Sequence, residues 1–191
     1  MKILFLGHSL IEFGDWQALL AGHETVNLGL AGETTAHLLG RLDPVIRAHP
    51  AADALVVMSG TNDILTGDDS FLAEYRQVAV TLRRAYPAAR ILLHALPPLD
   101  PEWCAPATLA AANAGIARLA AAAGVEFLDL TADFSGADGL PRATLYTEDG
   151  VHLAGAGYRA WAARLLERLG TPRDPGEPAG GHPADSRAHG S

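Results

Sequence analysis

Short runs of bulky apolar residues alternate with segments of helical periodicity over the first 169 positions. Ile3, Leu4, Phe5 and Leu6 form the first run, too brief for a helix and suited to a strand buried on both faces. Gly7 ends it. Further strand-like runs fall at residues 25–30, 54–58, 91–96 and 125–130. Between them, residues 11–21 predict a helix interrupted at Gly14-Asp15, with Asp15 as an N-cap. His37 to Leu42 predicts a second helix, broken and restarted at Asp43-Pro44, where aspartate would cap and proline would take the first helical position. Residues 70–86 place Leu72, Tyr75, Val78, Ala79 and Leu82 on one stripe, and Pro87 stops the pattern. The alanine-rich segment 108–123 predicts a helix closed by Gly124, and residues 158–169 predict the last one. Residues 131–153 read as an irregular loop.

Strands alternating with helices predict a three-layer α/β/α sandwich around a five-stranded parallel sheet. Right-handed crossovers from a central first strand give the order 2-1-3-4-5. Residues 1–170 are read as one domain. Residues 171–191, rich in Pro, Gly and Ala without periodicity, are read as a disordered tail.

Composition narrows the function classes. The 191 residues are 49% hydrophobic and 19% charged, as in an ordinary globular protein. A net charge of −8 without a basic run argues against nucleic acid as a partner. The lone Cys104 excludes an intrachain disulfide framework, and eight histidines without ligand spacing predict no metal site. No stretch reaches the roughly 18 apolar residues of a membrane span, and the first residues do not read as a signal peptide. Cytoplasmic residence is the expectation.

Four blocks fall at the carboxyl ends of predicted strands or in the last loop: Gly7-His8-Ser9-Leu10, Gly29-Leu30-Ala31-Gly32, Gly60-Thr61-Asn62-Asp63 and Asp149-Gly150-Val151-His152. That strand edge is where ligands collect in open α/β sheets. A serine nucleophile needs a base, and the base needs a third group to fix its tautomer. Asp149 and His152 lie three apart in one tight loop and could supply both. The Ser9 and Gly32 N–H groups and the Asn62 amide are candidate donors to an oxyanion. Ser9 would also lie at a helix N-terminus, where the dipole favours negative charge. Each residue alone has a structural reading: helix cap for Ser9, turn glycine for Gly32, turn or cap residue for Asn62 and Asp63, loop side chain for Asp149 and His152. Their co-occurrence along one predicted edge favours chemistry.

These blocks resemble those of the SGNH hydrolases, the GDSL-type esterases and lipases, from Lys2 to about Leu169. The resemblance implies a flavodoxin-like fold and no cofactor. It assigns Ser9 as nucleophile, Asp149 and His152 as its partners, and Ser9, Gly32 and Asn62 to the oxyanion hole. The family usually has Asp before the serine, where this chain has His8, which is expected to turn into packing. GHS also occurs in the GxSxG elbow of α/β-hydrolases, but position 11 is Ile and the block lies at the first strand. The GxGxxG and P-loop patterns of nucleotide binders are missing from the first turn.

The expected activity is hydrolysis of a small-molecule ester, favouring an acetyl or other short acyl group on a sugar or small metabolite. A lysophospholipase or acyl thioesterase is the alternative, and a catalytically silent binding module the alternative from another class. His8 and Trp103 are candidate substrate contacts. Trp16 and His94 are expected in the core, His94 with its hydrogen bonds satisfied. Cys104 has no expected role, and Glu12 and Asp15 are read as a solvated helix start.

Overall fold

Five parallel strands order as β2-β1-β3-β4-β5 in a computed structural model that describes residues 1–68 and 70–170. They are β1 (Lys2–Gly7), β2 (Glu24–Gly29), β3 (Ala54–Met58), β4 (Arg90–His94) and β5 (Glu126–Leu128). The helices are α1 (Ser9–Glu12), α2 (Trp16–Leu19), α3 (Thr35–Gly40), α4 (Leu42–Ala48), α5 (Thr61–Leu65), α6 (Phe71–Ala85), α7 (Pro106–Ala123), α8 (Thr131–Phe134) and α9 (Gly155–Leu169), with a 3₁₀ turn at Ala143–Leu145. The tail expected to be disordered lies outside the described residues.

Burial along the strands follows their place in the sheet. Residues of β1, β3 and β4 are buried on both faces almost throughout, which the continuous apolar runs require. The edge strand β2 is only partly buried and leaves Glu24 and Asn27 exposed. Helices α3, α6 and α7 cover one face; α2 and α9 meet over the other. There Phe5 stacks on Trp16 at 4.3 Å, and Trp161 meets Trp16 edge-on at 4.9 Å. Trp16 is buried as expected, and its indole N–H donates to the Ile11 carbonyl at 2.8 Å.

Several boundaries differ from expectation for local reasons. Asp15 caps α2 as expected, accepting from the Ala18 N–H, but each half of the first helical segment is only a single turn and the first begins at Ser9 rather than Ile11. The break between α3 and α4 falls at Arg41, not at Asp43-Pro44. Pro44 is the third residue of α4, where its missing N–H would have had no intrahelical acceptor. The irregular loop contains α8 and the 3₁₀ turn, each too short to show a period. His94 is fully buried, yet neither ring nitrogen has a partner among the described residues, so it is a core histidine left unsatisfied. No helix among the described residues is long and apolar enough to cross a membrane.

Candidate active site

At the carboxyl end of β1, Gly7 adopts φ +144°, and a Cβ there would lie 2.0 Å from the Met58 carbonyl oxygen. Only glycine lets β1 lie this close to β3 and still turn sharply. His8 follows in extended geometry and caps α1, its Nδ1 accepting from the Leu10 N–H at 3.4 Å. Ser9 opens α1 and is 7% exposed. Because α1 is a single turn, a macrodipole contributes little there, contrary to expectation. The free N–H groups of that turn are the relevant donors. The Asn27 amide donates to the Ile11 and Glu12 carbonyls and ties α1 to β2.

The second half of the site comes from the loop before α9. Gly150, at φ +67°, allows the turn that brings Asp149 back to His152. Asp149 Oδ1 accepts from the Thr147 hydroxyl at 2.8 Å and from the backbone N–H groups of Val151 and His152 at 2.9 and 2.8 Å. Asp149 Oδ2 lies 2.6 Å from His152 Nδ1, and His152 Nε2 lies 2.9 Å from Ser9 Oγ. Desolvation pushes the Asp149 carboxyl up, but the bonds from His152, Val151 and Thr147 outweigh it and hold the group well below the usual carboxylate range. An ionised carboxylate only accepts, so Nδ1 carries the ring hydrogen and Nε2 faces the serine hydroxyl as acceptor. The loop after β4 braces this turn. Asp100 N–H donates to the Gly150 carbonyl at 3.1 Å, and the Trp103 indole N–H donates to the Asp149 carbonyl at 2.9 Å.

His8 is 1% exposed, and burial first, then the nearby His152 charge, lowers its pKa to about 4. It is neutral near pH 7. With Nδ1 accepting, the hydrogen sits on Nε2, which has no acceptor among the described residues.

Asn62 lies in the first turn of α5, after Gly60 at φ +120°. One amide hydrogen donates to the Glu33 carbonyl at 2.9 Å and fixes the group, leaving the second available. Behind it, the buried Asp63 accepts from the Thr35 N–H at 3.1 Å and the Thr35 hydroxyl at 3.2 Å, while burial raises its pKa against those bonds. Arg41 holds the Glu33 carboxylate with Nε and, at 2.8 Å, Nη2, and reaches the Leu28 carbonyl at 2.7 Å.

Ser9, His8, Asn62, Trp103, Asp149 and His152 all line one depression of about 210 Å³, with Thr61, Leu10, Leu65 and Val151 completing it. Gly32 does not line it. It sits exposed at φ +75° in the β2–α3 loop, one residue before the carbonyl that holds Asn62. His94 and Cys104 do not line it either. A larger apolar depression of about 390 Å³, between α7 and the loop around Leu140, contains no member of the four blocks. Sequence reasoning missed Phe13, whose exposed ring lies 5.4 Å from the His152 ring. It also missed Thr35, Glu33 and Arg41 as supports of Asn62. The Asn62-Asp63 pair carried a signal for that anchoring; Phe13 carried none.

Comparison with known proteins agrees with this architecture. A family model described as GDSL-like Lipase/Acylhydrolase matches residues 5–160. Platelet-activating factor acetylhydrolase IB subunit alpha1 of Rattus norvegicus is 27% identical over 191 residues, covering 93% of this chain and 80% of that protein. A solved structure from Streptococcus pneumonia superposes with a TM-score of 0.78 at 29% identity, covering 87% of this chain and 83% of its own. A catalytic mutant of an acetylxylan esterase from Geobacillus stearothermophilus superposes with a TM-score of 0.73 at 21% identity, covering 88% and 94%, which shows a shared fold.

Proposed function

The chain belongs to the GDSL-like lipase/acylhydrolase family, and from that premise we propose that it is a serine esterase acting through an acyl-enzyme on Ser9. The observation that carries this reading is the unbroken chain of hydrogen bonds from Ser9 Oγ through His152 to Asp149. His152 Nε2 takes the hydroxyl proton as Ser9 Oγ attacks the ester carbonyl, and the Asp149 carboxylate stabilises the imidazolium that forms. The tetrahedral oxyanion accepts from the Ser9 N–H and the free amide hydrogen of Asn62, both on the depression; the Gly32 N–H, on the loop that anchors Asn62 but outside the depression, is the third donor that the family resemblance assigns. Losing one such donor typically costs ~10²–10³ in rate. His152 then protonates the leaving alcohol and activates the water that frees the acid. None of these steps calls for a cofactor or a metal.

The size of the depression supports a short acyl group. About 210 Å³ lies below the ~300–1,000 Å³ of typical ligand pockets. An acetyl or similar group on a sugar or small metabolite is the favoured substrate, with His8 on the floor and Trp103 at the rim as contacts. A lysophospholipase or acyl thioesterase would need more room for its chain. Rates across p-nitrophenyl esters from acetyl to octanoyl separate the two, and a maximum at octanoyl would overturn the short-acyl reading.

Ser9→Ala is expected to lower kcat on p-nitrophenyl acetate by ~10⁴ or more with an unchanged circular dichroism spectrum. Retained turnover would remove Ser9 from the mechanism. Labelling of Ser9 by a fluorophosphonate excludes the silent binding module.

A further inference from the structure

Two large aromatic side chains remain in solvent beside the Ser9 depression. Phe13 is 56% exposed and Trp103 57%, whereas Trp16 and Trp161 are each 1% exposed. Uncovered rings at a cleft are surface available for a ligand. Phe13 ends α1, four residues after Ser9, with its ring 5.4 Å from the imidazole of His152. Trp103 lines the depression on the Asp149 side. Its N–H is committed to the Asp149 carbonyl, which fixes the indole and leaves its π-faces as the open surface. A ring already fixed loses little freedom when something stacks on it.

The charges select what stacks. The lining contains no lysine or arginine, Asp149 contributes a carboxylate, and Glu102 and Glu148, adjacent in sequence to Trp103 and Asp149, are exposed. A phosphate or a coenzyme A moiety would meet these carboxylates with no lysine or arginine among the described lining residues to pair it. An uncharged sugar ring would present weakly positive C–H groups to the negative π-face of an aromatic ring.

Resting on the esterase reading, we propose that the alcohol half of the substrate is a neutral sugar-type ring, stacked on Trp103 and bordered by Phe13, while its acyl group enters the depression. Phe13 and Trp103 then set selectivity for the leaving alcohol and take no part in the chemistry.

Acrylamide quenching tests the binding half without turnover. In full-length Ser9→Ala the quenchable fluorescence comes from Trp103, because Trp16 and Trp161 are buried. Xylotriose, on the order of millimolar, is expected to halve the quenching, while erythritol (neutral, no ring) and coenzyme A (anionic) leave it unchanged. No protection by xylotriose, or equal protection by coenzyme A, overturns the proposal. In the active protein, the ratio of kcat/KM for an acetylated methyl xyloside over that for ethyl acetate should fall about tenfold in Phe13→Ala and in Trp103→Leu. An unchanged ratio overturns it as well. Protection by xylotriose in a wild type that hydrolyses no ester would support the ring site and sink the esterase reading, so the two failures are distinguishable.

Discussion

His8 and Asp149 each show how neighbouring groups decide what an ionisable side chain does. His8 stands where relatives of this family usually carry aspartate, and its Nδ1 still accepts from the first turn of α1. Burial keeps it neutral, so it caps without placing a second negative charge near Ser9. His8→Ala removes both the cap and buried volume. The expected cost is ~2 kcal/mol, read as a Tm lower by about 4–8 °C. Asp149 is partly exposed yet held ionised by its ring of donors. Asp149→Asn keeps the shape but no longer dictates which nitrogen of His152 carries hydrogen. A kcat loss of ~10⁴ with unchanged circular dichroism is expected, by analogy with serine triads elsewhere; a loss under tenfold would show that Asp149 does not orient the base.

Between elements, side chains finish what backbone ladders begin. Asp63 joins α5 to the start of α3 through Thr35, and Asn62 rides on that joint. Asp63→Ala strands the buried Thr35 N–H, so a loss of about 2–3 kcal/mol in urea denaturation is expected, with kcat lowered about tenfold as Asn62 loosens. The same kind of contact explains which boundaries were legible in the sequence. The cores of β1, β3 and β4 were legible because near-continuous apolar runs of four to six residues have few other uses, whereas β2 and β5 showed only shorter apolar pieces within strand-length segments. The strand ends were not legible. Residues 95 and 96 continue the line of β4, but the Asn113 amide from α7 takes both polar groups of the Leu96 backbone at 2.8 and 2.9 Å. Asp129 leaves β5 early by accepting from the Thr131 N–H. Arg41, drawn to Glu33 and the Leu28 carbonyl, divides α3 from α4. Each decision depends on a partner distant in the chain or on an asparagine or aspartate with several equivalent uses. Three of the four blocks line the depression, and all four stood out in the sequence because glycines and polar residues interrupt apolar runs at one predicted edge. Phe13 did not, since an aromatic within a predicted helical segment reads equally well as core.

At the scale of the whole molecule, buried neutral histidines couple stability to acidity. Burial lowers His94 to about 3, and burial with His152 lowers His8 to about 4, against 6.5 in an open chain. The unfolded chain therefore binds protons that the folded one refuses. Stability from this source is full above pH 6.5 and is lost as pH falls through the window towards 4 and 3, by about 1.4 kcal/mol per unit for each histidine. Tm should fall steadily from pH 7 to pH 4.5, and His94→Phe should flatten that slope. An equal slope in the variant would assign the acid sensitivity elsewhere.

The Ser9–His152 hydrogen bond joins residues 143 apart in the chain. On a ribosome the Ser9 hydroxyl is therefore translated long before its imidazole partner, and this bond forms only once residue 152 has joined the fold. On the acyl-enzyme reading proposed above, fragments ending before residue 152 should show no reactivity towards an ester mimic.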